Sequence, residues 1–221
     1  MKKGFSLPLW VAGAARAALK KLVGLPFKNY ELIKIPNEKK EIKIEIHSVG
    51  LLKDDSHALG ISFAKSGLDL DITQNLEIWT IASLEKISFN NPVQTIPIKI
   101  IAGSGVGIKE DTSEICISNF AKEVLYENLL DSIPAGFNLK LEIIFPNGAF
   151  LAERTRNKSF GIVGGLSIIG TSAETYSSAS PDQLEEAKNN LAKLIQNNFK
   201  GKVIFVTVSY THLTLPTTCS V

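Results

Sequence analysis

Residues 161–171 read GIVGGLSIIGT, and four glycines in eleven positions constrain the fold more than any other stretch of the chain. Glycine loses the most conformational freedom on ordering and brings no side chain to pack, so such a run makes a poor strand and a poor helix. It is useful where backbone must come close to something else. Two partners meet that need. One is an anionic or nucleoside ligand, touched by main-chain N–H groups around Gly164, Gly165 and Gly170 and by the hydroxyls of Ser167 and Thr171. The other is protein packed tightly against the turn. The spacing fails G-x-G-x-x-G and lacks a Walker lysine, which removes support for dinucleotide and P-loop binding.

Three further stretches carry chemistry. AGSGVG (102–107) alternates Gly103, Gly105 and Gly107 after an apolar strand, a pattern open to a phosphate loop in a nucleotide-dependent transferase or to a β-bulge. SGLDLDIT (66–73) puts Asp69, Asp71 and Thr73 at alternate positions, so an extended backbone would point all three one way. The two carboxylates then act as a base, order a polar substrate, or face water. AERTRNK (152–158) holds two of the three arginines, Arg154 and Arg156, directly before the glycine run. The planar guanidinium fork suits carboxylate or phosphate, and a plain charged surface is the alternative. His47 and His57 have no metal-ligand spacing, so no protein metal site is expected.

Two-residue alternation predicts strands at 41–49, 58–64, 75–82, 95–101 and 139–145, and a stripe through Phe120, Val124, Leu125 and Leu129 predicts a helix over 118–132, before Pro134. Residues 1–146 therefore read as an α+β domain with a mixed sheet. From 147 to 207 the pattern changes. FGIV (160–163) reads as a short strand and SPDQLEEAKNNLAKLIQNN as a helix with Ser180 at its N-cap and Leu184, Ala187, Leu191, Leu194 and Ile195 buried. KVIFVT (202–207) reads as a buried strand, completing a βαβ unit that starts a Rossmann-like α/β domain. A strand so apolar, left uncovered, favours self-association through its edges.

A net charge of +2, with lysines spread along the chain, argues against nucleic acid, and no apolar run reaches 18 residues, which argues against a membrane span. The start, MKKGFSLPLWVAGAARAAL, has signal-peptide traits, but Pro8, Gly13 and the helical spacing of Trp10, Ala14, Ala17 and Ala18 opposite Arg16, Lys20 and Lys21 favour an amphipathic helix of a cytoplasmic protein. Residues 208–221 hold no charged side chain and four threonines. VSYTHLTLPT is similar to the translation of a transposase mosaic-end sequencing adapter, so this tail is expected to be non-native. Cys116 is then the lone native cysteine, as suits a reducing compartment.

PNGAFLAERTRNKSFGIVGGLSIIGT (146–171) carries Pro146, Gly148, Ala152, Thr155, Asn157, Gly161, Gly164, Gly165, Ser167, Gly170 and Thr171 at set intervals. On this pattern, with GSGVG at 103–107 and SGLDLDIT, the chain resembles the CbiD family of cobalt-precorrin-5B C1-methyltransferases. The resemblance covers about residues 4–207, the family's first domain and the start of its second. It implies methyl transfer from S-adenosylmethionine to C1 of a cobalt tetrapyrrole, giving cobalt-precorrin-6A on the anaerobic route to cobalamin. The expected roles are donor binding by Gly164, Gly165, Ser167, Gly170 and Thr171, and substrate contact by Gly103, Gly105, Gly107, Arg154, Thr155, Arg156 and Asn157. Asp69 or Asp71 is the candidate for proton handling. Cobalt arrives with the substrate. Because the second domain is only begun, weak or absent turnover is expected of this chain.

Overall fold

A computed structural model describes residues 3–52, 55–66, 71–87, 97–176, 181–196 and 199–201. Two compact units divide the chain, Met1–Ser177 and Ser178–Val221. The first therefore runs past the boundary expected at 146. The reason lies in the glycine-rich segment, which pairs back onto strands of the same unit.

β1 (Lys3–Phe5) leads through Ser6 into α1 (Leu7–Leu22), with proline in the first turn. The sequence predicts a helix with one wet face, but Leu9, Val11, Ala12, Ala14, Ala15, Ala18 and Leu19 are all fully buried. α1 is a core helix. Two of its basic residues reach a buried partner: Arg16 Nε lies 3.3 Å and Lys20 Nζ 2.6 Å from the carboxylate of Glu31. Burying a carboxylate is tolerable only when it is paired in this way. Glu31 sits on β2 (Tyr30–Lys34), a strand the alternation did not reveal because an acidic residue occupies an inward position.

The expected strand 41–49 is two strands. β3 (Glu41–Glu45) forms a ribbon with β2, and β4 (Ser48–Leu51) joins the main sheet. The rest of that sheet is β5 (His57–Phe63), β6 (Glu77–Lys86), β7 (Ile98–Ala102) and, later in the chain, a strand over Phe137–Ile144. Between them come β8 (Gly105–Val106), β9 (Ile108–Lys109) and α2 (Asn119–Leu129), so the later strand is β10. The order is β4-β5-β6-β10-β7, antiparallel except for β10 with β7, which makes the sheet mixed as expected. α1 lies across β5 and β6 and is covered in turn by α2. Gly60 permits the close approach, since a Cβ there would stand 2.2 Å from Ala14 O.

α2 starts where the sequence places it. Ser118 Oγ accepts from Ala121 N at 3.2 Å, and a 3-10 turn over Leu130–Ser132 ends the segment before Pro134. Its buried Asn128 accepts from Lys34 N (2.8 Å) and donates to Lys34 O (2.9 Å) and Val124 O (2.8 Å), stitching α2 to the end of β2. A fully satisfied buried amide of this kind fixes one packing arrangement. The unit ends with α3 (Gly148–Ala152), β11 (Ile162–Val163), β12 (Gly165–Leu166) and β13 (Glu174–Tyr176), the last paired with β1.

In the second unit, α4 spans Pro181–Gln196. Ser180 and the strand expected at 202–207 lie outside the described residues, as does the tail 208–221. Of the stripe expected to be buried, Leu191 is half-buried while Ala187 and Leu194 are exposed and Ile195 is 69% exposed; Leu184 lies among residues whose side chains are not described. Among the described residues its own unit offers nothing to cover that face. No described helix is long and apolar enough to cross a membrane.

Candidate functional site

The two glycine clusters meet each other. β12 runs parallel to β8, with Gly165 opposite Gly105 and Leu166 opposite Val106. One turn earlier, β11 runs antiparallel to β9, with Ile162 opposite Lys109. Gly164, at φ +82, makes the reversal between the two pairings. This corrects the βαβ reading: the strand at 162–163 belongs to an antiparallel pair within the first unit, and the glycine run is not a turn from a strand into a crossover helix.

The open sides of these glycines are filled by chain. A Cβ on Gly165 would stand 1.9 Å from Gly105 O, one on Gly105 would stand 2.0 Å from Phe145 O, and one on Gly148 would stand 2.1 Å from Gly105 O. Gly103 faces Ile144, and Gly107 faces Ile162 and Gly165 O. Backbone packed on backbone accounts for most of the glycine content, with Gly107 N donating to Leu166 O at 2.8 Å and Phe145 N to Ser104 O at 2.9 Å.

Gly164 differs, because a Cβ there would meet only Val106 O, at 3.6 Å. Gly164 and Gly165 border a concavity of about 120 Å³ whose other walls come from β11 and from α3 and the loop after it, the last two supplying Ala149, Ala152, Glu153, Asn157 and Lys158. Asn157 is held there, its Nδ2 donating to Gly165 O at 3.0 Å and its N–H to Thr155 Oγ1 at 3.1 Å. Thr155 Oγ1 donates in turn to Ala152 O at 2.7 Å. Asn157 and Thr155 thus shape the loop, with Lys158 as the cation at the concavity's edge. Sequence reasoning passed over Glu153 and Lys158, although both lie in the stretch singled out for its arginines.

The other expected residues lie elsewhere. Arg154 and Arg156 are exposed and outside the lining of the concavity, and neither makes an ion pair among the described residues. Ser167 is buried with no hydrogen-bond partner for its Oγ among the described residues, as is Ser6 at the start of α1. Gly170 packs at that helix start, where a Cβ would come 3.2 Å from Pro8, and its carbonyl accepts from Ser118 Oγ at 2.9 Å; Thr171 beside it is exposed. The residues read together as one donor site therefore occupy two places. Asp69 lies outside the described residues. Asp71 begins a turn over 72–75 instead of an extended segment, and its Oδ1 accepts from Thr73 N (2.8 Å) and Thr73 Oγ1 (2.7 Å). The alternation expected to align Asp71 with Thr73 on one strand face is replaced by a local turn.

A sequence model of CbiD matches residues 1–177. The chain belongs to the CbiD family. Two relatives called cobalt-precorrin-5B C(1)-methyltransferase come from Prochlorococcus marinus. That of strain MIT 9312 is 91% identical over 206 residues, covering 93% of this CbiD chain and 56% of its own. That of strain MIT 9515 is 70% identical over 206 residues, covering 93% and 55%. This chain thus spans about half the length of the curated relatives it matches. The crystal structure of the cobalamin biosynthesis protein CbiD from Archaeoglobus fulgidus is similar in fold, with a TM-score of 0.59 at 24% identity over 86% of this chain and 59% of that one.

Proposed function

We propose that the chain contributes to S-adenosylmethionine-dependent methylation of C1 of cobalt-precorrin-5B, giving cobalt-precorrin-6A, in the cytoplasmic synthesis of cobalamin. The observation that carries this reading is the concavity at Gly164 and Gly165, formed within the 146–171 stretch that resembles CbiD and edged by Lys158 and Glu153. The donor supplies an electrophilic methyl group on a sulfonium. The protein's part is to hold donor and ring carbon in line and exclude water, and such positioning supplies much of the rate in a direct displacement.

Magnitude decides how much of this one chain does. Sites for ligands of the donor's size occupy about 300–1,000 Å³. The concavity is about 120 Å³ and accepts one end of the donor, with the carboxylate directed to Lys158. Arg154 and Arg156, exposed and without an ion pair among the described residues, answer acetate and propionate groups of the macrocycle. A site so small favours a second statement, that the chain alone binds without turnover.

Calorimetry with S-adenosylmethionine tests the first part. Weak binding that falls about tenfold in Lys158→Gln, the loss expected of a charge-assisted hydrogen bond, supports it. Equal binding by wild type and variant removes Lys158 from the site. Incubation with S-adenosylmethionine and cobalt-precorrin-5B tests the second, and methylated product formed at a steady rate would overturn it.

A further inference from the structure

The larger cavity lies away from the glycine turn. Where the chain leaves the β2–β3 ribbon and enters the main sheet, a cleft of about 380 Å³ opens between β3 and the end of β5. That volume falls within the range of small-ligand sites. Its floor includes buried Ile46 and the ring of Phe63, against which His47 stands edge-on with centroids 5.0 Å apart.

The polar wall has a simple origin. Lys43 and Glu45 alternate on the exposed face of β3 and His47 follows just beyond its end, so all three border the cleft. Lys65, just past β5, faces them and donates to Glu45 Oε2. That hydrogen bond, followed by the charge of Lys65, holds the Glu45 carboxyl below its ordinary range. Lys43 Nζ sits 4.4 Å over the Tyr30 ring. Two lysines against one glutamate leave the wall with an excess of positive charge. Glu45 already shows what Lys65 takes: a carboxylate.

We propose that this cleft binds the carboxylate-bearing edge of a large organic acid, with Lys43 and Lys65 as the charged contacts and the Phe63–His47 pair as an apolar rest for its ring. Resting on the function proposed above, that acid is the tetrapyrrole substrate, and the cleft is a second contact with it, separate from Arg154 and Arg156. An incoming carboxylate displaces Glu45 from Lys65 and replaces an exposed ion pair by a ligand contact.

Uroporphyrin, a tetrapyrrole polycarboxylate, is the probe, titrated into the full chain and followed by its own fluorescence, with S-adenosylmethionine affinity measured on the same samples. Lys43 and Lys65 are exposed, so Lys43→Gln/Lys65→Gln should fold, as circular dichroism would verify. The double variant is expected to bind uroporphyrin about 10–100-fold more weakly, the loss of one or two charge-assisted contacts, with donor affinity unchanged. Glu45→Gln, which frees Lys65, is expected to bind more tightly than wild type. Equal affinity in wild type and the double variant, with loss in Arg154→Gln/Arg156→Gln, would overturn the cleft and leave the proposed function standing. Failure of wild type to bind uroporphyrin while it binds the donor would also overturn the cleft. Loss of donor affinity in Lys43→Gln/Lys65→Gln with uroporphyrin affinity unchanged would likewise overturn the cleft as a site for the tetrapyrrole.

Discussion

Replacing Gly165 by alanine separates packing from ligand approach. The new Cβ would lie 1.9 Å from Gly105 O and 2.1 Å from Gly105 C, whereas ordinary contact begins at 3.4 Å. The neighbouring atoms are backbone, so no side-chain rotation relieves the overlap. β8 and β12 must part by about 1.5 Å, which takes the 2.8 Å bond from Gly107 N to Leu166 O out of range. Overpacking costs about 1–3 kcal/mol, and the lost bond about 1 kcal/mol, so a loss of about 3 kcal/mol is expected. Gly164→Ala is the control. Its Cβ meets nothing closer than 3.6 Å, and only the left-handed backbone at φ +82 opposes it, costing about 1–2 kcal/mol. Urea denaturation followed by circular dichroism gives both values by linear extrapolation. Stability of Gly165→Ala within about 0.5 kcal/mol of wild type, or a larger loss in Gly164→Ala, would refute the backbone-packing argument.

Asn128→Ala removes the stitch between α2 and β2 and leaves the N–H and C=O of half-buried Lys34 without their partner, so the same denaturation assay should show a loss of about 1–3 kcal/mol. The Glu45 carboxyl, lowered first by the hydrogen bond from Lys65 and then by its charge, should titrate below 4.5 by NMR and move back up in Lys65→Gln. A depressed folded-state value means that the pair's contribution is complete above the unfolded carboxyl range and is lost as pH falls through the folded value. Any stability difference between wild type and Lys65→Gln should therefore close at acid pH.

The main sheet was readable in the sequence because its strands carry apolar residues on every second position, and α2 because Ser118 and Pro134 bracket its stripe. β2 was hidden because its inward Glu31 finds two cations contributed by α1, a pairing that no local pattern reports. The candidate site shows the same limit. Each glycine cluster announced a close approach, but Gly105 and Gly165 are sixty positions apart, and that each is the other's near neighbour follows from topology, which periodicity does not carry. Asp71 was misjudged for a different reason: aspartate two residues before a threonine can bond locally and curl the chain, and alternation alone cannot distinguish that from a strand.

The antiparallel pairing of Lys3–Phe5 with Glu174–Tyr176 has a consequence for biosynthesis. Lys3–Phe5 leaves the ribosome ahead of its mate and meets it only after nearly the whole compact unit has been translated, on the order of ten to thirty seconds later at 5–20 residues per second. During that interval the adjoining leucine- and alanine-rich helix, destined for the core of its own unit, has its final neighbours only in part. A permutant joining these two neighbouring strands by a short linker would shorten the wait.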